Sequence, residues 1–120
     1  MALYYDLPIY KDVYSLILLL YQYSGNFPRE YKYTIGQDIK RDALVLVRGV
    51  YRVNKAKEKH THFDQLQDDF ELIKFQIRLC ADMHLFSLPQ HANLIKLLDS
   101  VGKQINGWQK ANERSQNFVG

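Results

Sequence analysis

The chain has 120 residues, 47% of them hydrophobic, one cysteine and a formal net charge of +3. That is the length of one domain able to bury about two-thirds of its unfolded surface, and a lone Cys80 excludes an internal disulfide or a cysteine-built metal site. The charge is uneven, with 9 basic and 4 acidic side chains in residues 29–60 against 4 acidic and none basic in 61–73, so an anionic partner is sought first after residue 29.

A first helix is expected over about 8–24, with Pro8 in its opening turn, Val13, Leu16, Ile17 and Leu20 on its apolar face, and Gly25 as its stop. Residues 26–32, interrupted by Pro28, read as a loop. A second helix is expected over about 34–57. Thr34 and Gln37 have capping-box spacing there, and Ile39, Ala43, Leu46, Val50 and Val53 recur at helical period. The third, over about 62–86, has Thr61 as its cap and Phe63, Leu66, Phe70, Ile73, Ile77 and Cys80 as its core stripe. The fourth, over about 88–115, opens at Ser87 and Pro89 and carries Leu94, Leu98, Val101, Ile105 and Trp108, the last as anchor of one end of the core.

Four helices with short connections and no repeat or linker predict a single all-α domain over 1–120, an antiparallel up-down-up-down four-helix bundle. The first thirty residues lack the basic start, apolar run and cleavage site of a secretory leader, and Leu16 to Leu20 is too short to span a bilayer. A cytoplasmic protein with no membrane partner is therefore expected.

Catalytic chemistry finds little purchase. No phosphate-binding glycine loop and no paired Glu-x-x-His motif is present, so no catalytic residue, metal or cofactor is expected. His60 and His62 form an H-x-H that reads as exposed or capping, with His84 and His91 far away in sequence, and Cys80 reads as a buried, inert thiol. The cations are more informative. Arg41, Arg48, Arg52, Lys55 and Lys59 are spaced seven, four, three and four apart, which lays them along one face over roughly 27 Å of helix. Arg48 and Arg52 have no acidic residue three or four positions away to pair with. Lys96, Lys103 and Lys110 repeat at heptad spacing before Arg114, and Lys74 and Arg78 stand one turn apart on the third helix. Such stripes suit a phosphate backbone, bound without base readout and with strong salt dependence. For any one of these cations, solubilising surface is the commoner explanation. Tyr31 and Tyr33, interleaved with Arg29 and Lys32, read first as packing at the bundle end and second as a nucleic-acid surface.

The same residues carry a family resemblance. Phe27–Gln37, then Val53–Asn54–Lys55–Ala56, Arg78–Asp82 leading into Leu88–Pro89–Gln90–His91, and above all Gly102 to Trp108 resemble the accessory variability determinant (Avd) family of diversity-generating retroelements over about residues 10–112. The loop signature is also similar to that of the related ribosomal intervening-sequence bundle proteins. The resemblance implies a non-catalytic homo-oligomer, a barrel-like pentamer, that binds a reverse transcriptase and RNA or DNA during mutagenic copying. It makes Lys74 and Arg78 the first choice of functional pair, and it requires the acidic run Asp64–Glu71 to point away from the nucleic acid. The alternative is a structural module that binds a protein through its tyrosine-rich first helix, with the basic face merely solvated.

Overall fold

The fold is taken from a computed structural model, which describes residues 3–119 apart from the side chains of Tyr4 and residues 117–119. A 3-10 turn, Tyr4–Asp6, precedes five helices: α1 (Pro8–Ser24), the single turn α2 (Arg29–Lys32), α3 (Ile35–Lys55), α4 (His60–Asp82) and α5 (Leu88–Val119). No strand occurs among the described residues. The four long helices are those expected from periodicity, and each buries its predicted stripe. Ile39, Ala43, Leu46, Val50 and Val53 of α3 are all inaccessible, as are Phe63, Ile73, Ile77 and Cys80 of α4. Among the described residues the long helices pack in the cyclic order α1–α3–α4–α5 and back to α1. This is a four-helix bundle in which α3 and α5 stand at opposite corners, as do α1 and α4.

Polar contacts pin three of the four seams. Asp12 of α1 accepts from Ser100 Oγ at 2.5 Å and from Gln104 Nε2 at 2.6 Å on α5. Gln76 Nε2 of α4 donates to Asp42 of α3 at 2.8 Å, and Gln67 Nε2 of α4 donates to Asn106 of α5 at 2.9 Å. At the N-terminal end of α1, Trp108 stands edge-on to Phe63 with ring centroids 5.2 Å apart, so it anchors the core there as expected. At its C-terminal end, Phe27 and Phe86 come in from the connections, 5.5 Å apart, and close the core. The structure extends 53 × 22 × 22 Å. Its long axis reflects the 32 residues of α5, which overrun the 17 of α1; beyond Trp108 no residue as far as Gln116 is buried.

Local chemistry departs from expectation at three connections. Residues 29–32 are helical rather than loop, because Pro28 leaves its carbonyl free to accept from Tyr31 and Lys32 N–H, both at 2.9 Å. That turn in turn claims Thr34, whose hydroxyl donates to the Glu30 carbonyl at 2.7 Å instead of capping α3. Likewise α4 begins at His60 with Lys59 at the cap position, leaving Thr61 inside the helix. It also ends at Asp82, four residues short of the expected boundary. His84, at φ 60°, closes it in a Schellman arrangement in which Leu85 N–H reaches Cys80 O at 2.9 Å and His84 N–H reaches Ala81 O at 3.0 Å. The expected start of the fourth helix holds, since Ser87 and Gln90 form a reciprocal capping box with bonds of 3.2 and 3.0 Å.

Candidate nucleic-acid interface

The apolar stripe of α3 faces the core, so residues half a turn away must face solvent. Arg41, Arg48, Arg52 and Lys55 lie there, all exposed. Their surroundings separate them. Arg41 is held by Asp42 at 3.1 Å and Asp38 at 3.3 Å, and the Asp42 hydrogen bond, then the two carboxylate charges, push its guanidinium further above its usual value. Lys55 lies 4.7 Å from the Tyr51 ring centroid. Lys59 turns inward, donating to the carbonyls of Val53 at 2.6 Å and Ala56 at 2.7 Å, and so ties off the end of α3. Arg48 and Arg52 have neither an ion pair nor a hydrogen bond among the described residues.

Gly49 explains what lies beside those two arginines. A Cβ there would stand 2.8 Å from Leu66 Cδ1, so glycine lets α4 approach α3 closely. Beside that contact, a hollow of about 290 Å³ is lined by Arg48, Arg52, His62, Gln65 and Asp69 among others. Gln65 was not singled out by the sequence, and His62 was read only as an exposed or capping member of the H-x-H. Their one signal was a spacing of three that puts them on one face of α4, and nothing in it said which helix that face meets. Asp69 departs from expectation too: it borders this hollow rather than pointing away, its Oδ1 accepting from Gln65 Nε2 at 3.1 Å.

Lys74 and Arg78 emerge at the edge of α4, in the groove towards α5 that also holds His91, Ile95 and Asp99. Each has its own counter-ion. Lys74 Nζ is 2.6 Å from Glu71 and 5.3 Å from the Phe70 ring centroid, and Arg78 Nε donates to both oxygens of Asp82 at 3.1 Å. Such exposed pairs contribute little stability and exchange readily. Lys96, Lys103, Lys110 and Arg114 are exposed on the outer face of α5, the corner diagonal to α3. The expected site residues are therefore spread over two corners and one groove of the protomer.

Among the histidines, His60 pairs with Asp64 at 3.4 Å while His62 faces α3, so the H-x-H is split between two surfaces. Among the described residues no three His, Cys, Asp or Glu side chains gather as metal ligands, and no helix is long and apolar enough to cross a membrane. Burial pushes the Cys80 thiol up to about 11, which keeps it protonated and poorly nucleophilic at neutral pH. Tyr31 is half-buried against the core; Tyr33 is exposed, with Lys32 Nζ 5.9 Å from its ring centroid.

No curated protein and no solved structure matches the sequence. The sequence model of the bAvd-like family matches residues 7–112, which run from the residue before α1 through every helix of the bundle and include the Gly102–Trp108 segment, so the chain belongs to the bAvd-like family.

Proposed function

We propose that this protein is a non-catalytic accessory of a diversity-generating retroelement, a cytoplasmic single-domain bundle of alternating up and down helices that holds RNA or DNA beside the reverse transcriptase. Family membership supports the retroelement role. The observation that carries nucleic-acid binding is the unpaired state of Arg48 and Arg52 at the centre of the α3 stripe: two cations a turn apart with no counter-ion repel each other, and a phosphate backbone relieves that repulsion. Lys55 and Arg41 extend the stripe. Lys74 and Arg78, and Lys103, Lys110 and Arg114 of α5, present separate phosphate contacts, with Lys59 holding the α3–α4 connection.

Two exposed apolar ridges support self-association. Tyr14, Leu18, Tyr21 and Leu44 form one along α1 and α3, flanked by Lys40, whose Nζ lies 5.2 Å from the Tyr21 ring centroid. Leu72, Phe75 and Leu79 form the other on α4, flanked by Asp68, Glu71 and Asp82. The ridges differ in residues and occupy different faces. They therefore suit a heterologous contact between copies, which closes into a ring when the rotation allows; the family resemblance supports a pentamer as that ring.

The test is binding to a structured RNA and to duplex DNA across a salt series. Wild type should bind one or both with affinity falling steeply as salt rises, and Arg48→Gln/Arg52→Gln should weaken it more than Lys74→Ala/Arg78→Ala. If neither nucleic acid binds even at low salt, the basic stripes are solvated surface, and the protein-interaction module, favoured by the exposed tyrosines of α1, takes the lead.

A further inference from the structure

The hollow beside Gly49 is more specific than a stripe of charge. We infer that it is a discrete site for one phosphate group, seated between α3 and α4 by Arg48, Arg52 and the side chains of His62 and Gln65. This deepens the nucleic-acid reading and rests on it only for the source of the phosphate.

Three features converge there. First, both guanidiniums border a concave space of about 290 Å³ and are otherwise unengaged, so their fork-shaped donors are available for a bidentate oxyanion contact. Second, α4 supplies donors from the opposite wall: Gln65 Nε2 spends one hydrogen on Asp69 and has a second to give, and the His62 ring lies alongside. Third, the N-terminus of α4 has no side-chain cap and no acidic residue in its first turn, so the positive end of its dipole, two residues from His62, adds to the positive potential there. Asp69 is the one opposing charge. Its carboxylate lines the same hollow and limits affinity, which suits a site that must release a backbone phosphate and take the next.

Gly49 is what makes this a pocket. A larger residue there would have to push aside Leu66, whose Cδ1 lies 2.8 Å from where its Cβ would stand, and so would disturb the wall from which Gln65 and His62 face the arginines. Lys74 and Arg78 each carry a counter-ion in their own groove, and Arg41 is already occupied by two carboxylates.

The experiment is a titration of the full chain, 15N-labelled at arginine and glutamine side chains, with inorganic phosphate at constant ionic strength and then with a short single-stranded RNA. The expected result is saturable movement of the Arg48, Arg52 and Gln65 signals with phosphate. Arg52→Gln should abolish it, and Lys11→Gln, which removes the same charge outside the hollow, should leave it intact. The charge-neutral Gln65→Ala should weaken it, and Asp69→Asn should strengthen it. With RNA, Arg52→Gln should cost about tenfold in affinity and lower the salt slope by about 1. Phosphate that saturates the site while RNA fails to bind would keep the pocket as a free-phosphate site and remove the nucleic-acid reading. RNA bound equally by wild type, Arg52→Gln and Gln65→Ala would overturn the pocket and leave that reading standing. Linear, unsaturating shifts with phosphate in wild type would also overturn it.

Discussion

At the scale of single residues, the clearest local strain is His84. It occupies the left-handed region at φ 60°, where a side chain costs on the order of 1 kcal/mol relative to glycine. Its hydrogen bonds close α4 through backbone groups alone, so the imidazole contributes nothing to the closure. His84→Gly should therefore raise unfolding stability by about 1 kcal/mol in urea denaturation, without altering the bundle; a loss of stability would show that the ring has a partner worth more than the strain. This position also shows a limit of reading sequence. A glycine there would have marked the end of α4, whereas histidine gave no stop, and the helix was expected to run four residues further.

At the scale of elements, the core was legible because each long helix repeats its apolar residues at helical period, and every position expected on α3 and α4 is buried. The connections were less legible because capping depends on which donor finds which acceptor. Thr34 has the right spacing to cap α3, but the α2 turn offers it the Glu30 carbonyl first. Glycines within helices were equally opaque, since sequence does not say whether a neighbour fills the space. Gly49 and Gly107 are opposites in this respect: a Cβ at 49 meets Leu66 at 2.8 Å, whereas a Cβ at 107 meets nothing within 4 Å. Gly107→Ala should accordingly gain about 0.5–1 kcal/mol from helix propensity. Gly49→Val should lose about 1–3 kcal/mol from overpacking, both read by thermal unfolding.

At the scale of the whole molecule, the basic residues of the site could be found from their spacing, but their relation to one another could not. Periodicity places a charge on the outside of its own helix; only the packing order α1–α3–α4–α5 sets the α3 and α5 stripes at opposite corners. The same order puts the Tyr14–Leu18–Tyr21 ridge and the Leu72–Phe75–Leu79 ridge on diagonal helices. If they meet between copies, Phe75→Glu, at a side chain 64% exposed in the protomer, should keep its helical circular dichroism while light scattering falls towards the 14.2 kDa of a single chain. An unchanged mass would place the contact elsewhere. The overrun of α5 has a consequence of its own. A helix whose far turns touch no core keeps only local hydrogen bonds, so opening free energy falls turn by turn beyond Trp108 towards Gln116. Lys110 and Arg114 thus ride on the part of the protein that rearranges at least cost, able to adjust to the contour of an anionic surface that the rigid α3 corner must meet as it is.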